Sequence, residues 1–150
     1  MRLVIQRVKK AAVSVNDEKI SEIGKGLLVL VGIEADDTEK DVDWLAQKTM
    51  GLRIFNDNSD IMNLSVKDIH GQILVVSQFT LTASTKKGNR PSYIRAAGHE
   101  VAIPMYEKYC EKLTELSGFE VKRGIFGADM QVELVNDGPV TIIIDSKLKE

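Results

Sequence analysis

The chain has 150 residues, of which 43% are hydrophobic and 28% charged, a balance that suits one globular domain and excludes disordered, collagen-like and coiled-coil chains. Its 20 Lys and Arg residues against 22 Asp and Glu residues give a formal net charge of −2, which excludes a generally basic coat for nucleic acid. The single cysteine excludes an internal disulfide framework and a cysteine-based zinc cluster.

No segment of the sequence predicts insertion into a membrane. Gln6 and Arg7 interrupt the apolar stretch that a signal peptide would need. The longest apolar run, residues 26–33, is far shorter than the ~20 residues of a membrane-spanning helix. Together with the single cysteine, this indicates a reduced, cytoplasmic protein with no membrane partner.

The beginning of the chain is predicted to be rich in strands. Residues 3–8 and 12–15 have the pattern of strands, and a turn at residues 16–17 would let residues 19–23 return as a hairpin partner. Residues 26–32 are apolar on both faces, as in a buried strand.

A first helix is predicted after Asp37, which we expect to be its N-cap, with Glu39 adding negative charge to the first turn. Gly51 is the expected stop. Residues at helical spacing are expected to form the inward face, beside Trp44: Val42, Leu45, Ala46 and Thr49.

Shorter elements fill the middle of the chain. Residues 52–55 and 72–78 are predicted strands, with a turn-rich segment at residues 56–60. A polar loop spans residues 82–91.

A second helix is predicted over about residues 99–116, ending at Gly118. Because proline is tolerated only in the first turn of a helix, Pro104 indicates a start later than His99. We expect Cys110, beside the inward face, to be a small core residue. That face is expected to consist of Ala102, Met105, Tyr106, Tyr109, Leu113 and Leu116.

The last two predicted strands, residues 131–135 and 140–144, are joined by residues 136–139, where Asp-Gly is a strong hairpin signal. Statistics alone favour a trans Gly138-Pro139 bond, since only about 5–6% of X-Pro bonds in folded proteins are cis.

These elements predict one compact α/β domain over residues 1–150. The strands dominate, and the two helices are available to cover one face of a sheet. No repeat, linker or low-complexity tract interrupts the chain.

Common catalytic and metal-binding patterns are missing. A Ser-His-acid hydrolase needs a histidine base, but His70 and His99 lie in no recognisable signature and are interpreted as solvent-facing. Two histidines and one cysteine also argue against a zinc site. We predict no metal and no cofactor.

One polar segment stands out where a buried strand ends. Ser77, Gln78, Phe79 and Thr80 offer two hydroxyls, an amide and an aromatic ring in succession. Binding and catalytic groups often occur where a buried strand reaches the surface. The alternative is a strand end capped by Ser and Thr hydrogen bonds, and spacing alone favours that alternative.

This segment and the Asn-Asp-Gly-Pro-Val-Thr segment at residues 136–141 together resemble the D-aminoacyl-tRNA deacylase family. The resemblance covers essentially the whole chain, and its order makes it specific. Further matching stretches are residues 5–8, 26–30, 52–55, 62–64, 75–81 and 128–132.

The resemblance implies a homodimer of a three-layer β/β/α fold with active sites at the subunit interface. Gly138 and Pro139 match the family's Gly-cisPro motif, which implies a cis bond and insertion into the partner's pocket. There the two carbonyls would accept the substrate's α-ammonium, and the rigid backbone would exclude an L side chain. Arg7 would fix the orientation of the motif.

The resemblance also implies the roles of the pocket residues. Ser77, Gln78 and Phe79 would line the pocket for the terminal adenosine and the aminoacyl group, and Met130 would form an apolar wall. Ser77 and Thr80 are candidate catalytic residues for nucleophilic or oxyanion contact, with the Thr80 backbone N–H the better oxyanion donor. The 2′-hydroxyl of the terminal adenosine would assist the attack, which removes the need for a protein base.

The implied activity is editing in translation. The enzyme would hydrolyse the ester of D-aminoacyl-tRNA, release D-amino acid and tRNA, and reject L-aminoacyl-tRNA. Glycyl-tRNA mischarged on tRNA-Ala would also be accepted, because glycine has no side chain to exclude. The alternatives are a non-enzymatic RNA- or replication-associated binding module and, third, a generic serine esterase.

Charge patterning suggests where tRNA would approach. Residues 69–99 contain no Asp or Glu. Four cations in this stretch are the candidates for contact with tRNA phosphates: Lys86, Lys87, Arg90 and Arg95.

Overall fold

Two long strands, β1 (Arg2–Val15) and β8 (Gln131–Asp145), pair antiparallel along almost their whole length. They belong to a computed structural model that describes residues 1–150. β1 also pairs with β2 (Glu18–Ile23) through its C-terminal half and with β3 (Gly26–Gly32) through its N-terminal half. This long strand therefore joins one sheet together.

The predicted turn at residues 16–17 is confirmed. Asn16 and Asp17 both have positive φ, at 51° and 62°, as a two-residue type I′ hairpin requires. The two strands predicted before this turn are instead one strand. Lys9 and Lys10 interrupt the apolar pattern because both are exposed, while β1 continues through them with shifts in its register to β8.

One side of the sheet is parallel. β6 (Gln72–Ser77) pairs parallel with β3, and β7 (Lys122–Arg123) pairs parallel with β6. α1 (Glu39–Gly51) lies in the crossover between β3 and β6, and α2 (His99–Ser117) packs against it. A parallel pair needs such a long connection because its strands run in the same direction. A separate two-stranded sheet is formed by β4 (Phe55–Asn56) and β5 (Met62–Leu64).

Two hydrophobic clusters define the layers. The larger fills the space between the helices and one face of the sheet, and includes Leu27 of β3, Leu45 of α1 and Leu113 of α2. The smaller lies on the other face, where Leu28 of β3 packs in a cluster bordered by Leu134 of β8. β3 is thus buried on both faces, and the predicted three-layer β/β/α domain is confirmed.

The N-cap of α1 is Thr38 rather than the predicted Asp37. Thr38 and Asp41 form a capping box, in which the Thr38 N–H donates to the Asp41 carboxylate at 2.7 Å. The Asp37 side chain is fully buried and binds the Met1 ammonium group at 2.5 Å. A buried ammonium group requires an anion beside it, so Asp37 has a partner that the local cap signal does not reveal.

The late start predicted for α2 is wrong. α2 begins at His99, so Pro104 lies inside the helix and cannot donate a hydrogen bond to the preceding turn. The first turn is formed regardless, because the Gly98 carbonyl accepts from the N–H groups of Val101 at 3.1 Å and Ala102 at 2.8 Å. Neither helix is long and apolar enough to cross a membrane.

Candidate active site

A cavity of about 450 Å³ opens at the edge of the sheet where the parallel strands β3 and β6 end. Most of its lining is apolar, and the polar side chains are few. This combination is typical of a small-molecule or cofactor site. Four predicted site residues lie in its wall: Ser77, Gln78, Phe79 and Met130.

The segment after β6 turns sharply at the cavity. The Gln78 N–H donates to the Val31 carbonyl at 2.7 Å, and a 3-10 helix (Phe79–Thr82) follows. A bond from the Leu81 N–H to the Gln78 carbonyl, at 3.1 Å, closes the first turn. The N–H groups of Phe79 and Thr80 take no part in that bond, as is usual at the start of a helix.

The side chains of this segment have different surroundings. Phe79 is 57% exposed at the rim of the cavity. Thr80 does not line the cavity, and its hydroxyl accepts a hydrogen bond from the Gln78 side-chain amide. The hydroxyl that caps the turn belongs to Thr82, which donates to the Phe79 carbonyl at 2.8 Å. The Ser77 side chain is therefore left at the cavity rather than used as a cap.

One wall of the cavity is formed where residues 95–97 pair antiparallel with residues 33–35, just after the end of β3. The Ala97 N–H donates to the Ile33 carbonyl at 3.0 Å, and the Ala35 N–H donates to the Arg95 carbonyl at 3.2 Å. The Arg95 guanidinium lies 3.6 Å from the Glu34 carboxylate. Arg95, a predicted tRNA contact, is thus engaged within the fold.

The opposite wall is built around Phe126 and Met130. The ring of Phe126 packs edge-on against Tyr106 and His99, each with a centroid distance of 5.6 Å. His99 is exposed as predicted, but it also lines the cavity. Sequence reasoning missed this position, because only the packing of α2 against the loop after β7 brings His99 to the site.

The one cysteine lies in the core, as predicted. Cys110 is fully buried, and burial raises the pKa of its thiol to about 11. The thiol is therefore protonated at neutral pH and is not available as a nucleophile.

The predicted hairpin at residues 136–139 is a bulge within the continuous strand β8. Gln6 pairs with Thr141 and Val8 pairs with Asn136, so Arg7 alone faces four residues of β8. Asp137 and Gly138 form a bulge rather than a hairpin turn because β1 pairs with β8 on both sides of them, so the strand continues in the same direction.

The Gly138-Pro139 bond in this bulge is cis, as the family resemblance implies and against the statistical expectation. Gly138 has a φ of 128°, a conformation that suits glycine. Both residues are exposed and lie outside the lining of this chain's own cavity.

Arg7 fastens the bulge to the rest of the molecule. It is only 8% exposed, and its Nε donates to the Asp137 carbonyl at 3.0 Å. Its Nη1 donates to the Ile54 carbonyl at 2.7 Å. Across the bulge, the Asn136 amide donates to the carbonyls of Arg7 and Val140, at 3.0 Å each. The backbone on either side of Gly138 and Pro139 is therefore held in place.

Within one chain, then, the predicted site residues form two groups. Ser77, Gln78, Phe79 and Met130 lie at the cavity, whereas Arg7, Gly138 and Pro139 form the bulge. Lys86, Lys87 and Arg90 are exposed on the loop near the cavity.

The sequence and the fold have clear relatives. A family model described as D-Tyr-tRNA(Tyr) deacylase matches residues 4–145. The D-aminoacyl-tRNA deacylases of Flavobacterium psychrophilum and Flavobacterium johnsoniae are each 59% identical to this chain, over the full length of both chains. That of Bacteroides thetaiotaomicron is 57% identical, again over the full length of both.

Two solved structures share the fold. One, named c-Myc DNA Unwinding Element Binding Protein, is 42% identical with a TM-score of 0.91, and the match covers 97% of this chain and 98% of that one. The other, named as a probable eukaryotic D-amino acid tRNA deacylase, has a TM-score of 0.83 over 96% of this chain and 98% of that one. At 18% identity, it bears on the fold alone.

Proposed function

Because the chain belongs to the D-Tyr-tRNA(Tyr) deacylase family and is a hydrolase of D-aminoacyl-tRNA, we propose that the ester is cleaved at the cavity beside β6. The products are free D-amino acid and tRNA, and L-aminoacyl-tRNA is rejected. Glycyl-tRNA mischarged on tRNA-Ala is a second substrate. The reaction takes place in the cytoplasm as part of translation quality control. The observation that carries the proposal is a polar segment at an otherwise apolar cavity, together with a rigid, exposed bulge.

We propose that two chains form a homodimer in which the bulge of each enters the cavity of the other. Two observations support this dimer. The bulge is exposed, and Arg7 and Asn136 hold it in place. The cavity has few polar groups of its own, so the bulge could supply the missing acceptors. The carbonyls of Gly138 and Pro139 would then accept the α-ammonium group. An L side chain would be directed into this backbone, whereas a D side chain would point away from it.

The remaining contacts position the terminal nucleotide. The exposed ring of Phe79 is a stacking surface for the adenosine, as aromatic side chains commonly are for unpaired bases. Met130 supplies an adaptable apolar wall, and Ser77 and Gln78 supply polar contacts at the end of β6.

In the proposed reaction a water oxygen attacks the ester carbonyl, with proton transfer through the 2′-hydroxyl of the terminal adenosine. The carbonyl carbon gains a bond to the water oxygen and loses its bond to the ribose 3′-oxygen, which receives the proton. The N–H of Thr80, unused within its own turn, is the proposed donor to the oxyanion. Ser77 contributes a side-chain contact at the cavity, and the Thr80 hydroxyl holds the Gln78 amide; neither acts as a base.

Ser77→Ala and Thr80→Ala are therefore expected to retain measurable turnover, within about 10-fold of the wild type, because neither removes the proposed proton carrier or the Thr80 N–H. A substrate with a 2′-deoxy terminal adenosine should instead react about 100-fold more slowly or worse. Single-turnover rates of D-Tyr release measure both. The proposal would be contradicted if the folded Ser77→Ala or Thr80→Ala variant lost all activity while the wild type cleaved the 2′-deoxy substrate at the normal rate. Catalysis would then depend on a protein side chain.

The second candidate function is binding of nucleic acid without hydrolysis, because the 42% identical structure is named as a DNA unwinding element binding protein. A single-turnover assay with D-Tyr-tRNA labelled on the amino acid separates the two functions. We expect the label to be released as free D-tyrosine when enzyme exceeds substrate. Retention of the label on tRNA that is bound by the protein would support the binding function instead.

A further inference from the structure

Residues 84–95 form an arm beside the cavity, anchored at both ends. Ser84 and Ser92 exchange two backbone hydrogen bonds of 2.9 Å each, which close the loop between them. The guanidinium of Arg95 donates to the Thr82 carbonyl at 3.1 Å. The position of the arm relative to the cavity is thus set by the fold.

The outer part of the arm carries unpaired positive charge. Lys86, Lys87 and Arg90 are exposed, and none lies within 4.0 Å of an acidic group. Residues 69–99 contain no Asp or Glu that could neutralise them. Such a local charge on an acidic chain favours a polyanionic partner.

The inner part of the arm is apolar and reaches the cavity. The Ala96 N–H donates to the Tyr93 carbonyl at 2.9 Å in a tight turn, and Ile94 within that turn is 90% exposed. Tyr93 packs edge-on against Phe79 with a centroid distance of 5.0 Å. Phe79, Tyr93 and Ile94 therefore form an apolar strip from the rim of the cavity outward.

From this arrangement we propose that the arm binds the acceptor stem of the tRNA substrate. Lys86, Lys87 and Arg90 contact phosphates of the stem. Ile94 packs against the end of the duplex where the unpaired 3′ strand leaves it. Tyr93 and Phe79 guide that strand toward the cavity.

This inference rests on the proposed function, because an ester at the 3′ end bound in the cavity requires the stem to lie beside it. Aromatic side chains next to a basic groove are the common means of holding an unpaired strand. A row of stem phosphates offers the three cations of the arm far more negative charge than a second copy of the chain, whose net charge is only −2.

Two substrates test the proposal: full-length D-Tyr-tRNA and a D-Tyr ester of a short CCA oligonucleotide, which lacks the stem. For the double variant K86Q/K87Q we expect kcat/KM on the tRNA to fall about 10-fold, with the log–log salt slope reduced by about 1.5 to 2. The oligonucleotide should react as with the wild type. The matched control K25Q/K40Q removes two exposed charges away from the cavity and should change neither substrate.

For Ile94→Ser we expect a loss of about 10-fold in kcat/KM on the tRNA, from the lost apolar contact. Again the oligonucleotide should be unaffected. Leu148→Ser replaces another exposed aliphatic residue, 64% exposed, and serves as its control. Sedimentation of each variant reports the oligomeric state.

Each alternative result has a distinct meaning. Wild-type rates on tRNA for both arm variants would overturn the acceptor-stem contact, as would equal losses on the two substrates. A change in oligomeric state of Ile94→Ser without a change on tRNA would assign the strip to a second copy of the chain. If the wild type hydrolysed neither substrate, the proposed function would fail, and the role of the arm with it.

Discussion

D-Tyr-tRNA is expected to lose its amino acid about 100 to 10,000 times faster than L-Tyr-tRNA. In the proposed complex the carbonyls of Gly138 and Pro139 hold the α-ammonium group. An L side chain could enter only if the ammonium group left these two carbonyls. Hydrogen bonds to charged groups contribute about 1.5–3 kcal/mol each, so the loss of two corresponds to that range of rates.

Single-turnover hydrolysis of the two enantiomers, charged on the same tRNA, measures this ratio. Glycyl-tRNA is the internal control, since glycine has no side chain to be excluded and should react at a rate close to that of the D substrate. Equal rates for D- and L-Tyr-tRNA would contradict exclusion by the bulge, even if both were hydrolysed quickly.

Gly138→Ala is expected to lower the rate on D-Tyr-tRNA about 100-fold or more, because displacement of a positioning group by about 1 Å is enough for such a loss. A Cβ at position 138 would lie 2.9 Å from Nη2 of Arg7 and 2.9 Å from Cγ2 of Val140. The φ of 128° is also strained for alanine. Either the bulge or the Arg7 guanidinium that holds it must therefore shift.

Gly118→Ala is the matched control for this substitution. Gly118, at the C-terminus of α2, has a φ of 78° and nothing within 4 Å of an added Cβ. It should lose stability, by about 1 kcal/mol, and keep its activity. Thermal unfolding monitored by circular dichroism shows whether Gly138→Ala is folded. A folded Gly138→Ala variant with wild-type turnover would remove the bulge from the proposed site.

The elements that sequence predicts well are those whose signal is local. β3 is apolar on both faces and is buried on both, and the inward face of α1 from Val42 to Thr49 is buried as its spacing predicts. The Asp37 cap fails because its carboxylate binds the Met1 ammonium group, a contact between residues far apart in sequence. Local spacing contains no information about such a partner.

The bulge also could not be predicted from local sequence. Residues 136–139 have the composition of a hairpin turn, but β8 continues through them because β1 is its neighbour on both sides. The cis geometry and the involvement of Arg7 were predicted only through the family resemblance. Nothing in the spacing of Arg7 and Asp137 indicates that they are hydrogen-bonded.

The cavity could be predicted in part. Ser77, Gln78 and Phe79 follow a recognisable buried strand, and they do lie at the cavity. His99 and Ala97 were missed, since they reach it through the packing of α2 and the pairing with Ile33. These contacts join residues that are far apart in the sequence, which no local pattern specifies.

The pairing of the first strand with the last has a consequence for synthesis on the ribosome. Arg2 pairs with Asp145. β1 finds β2 and β3 early in synthesis, but its pairing with β8 must wait until residues 131–145 have been made. Contacts of such sequence separation form late and slowly. Met130, which lines the cavity, and the bulge proposed to exclude L side chains belong to the same late segment. A nascent chain that ends before residue 130 would therefore lack both a part of the cavity wall and the proposed chiral filter.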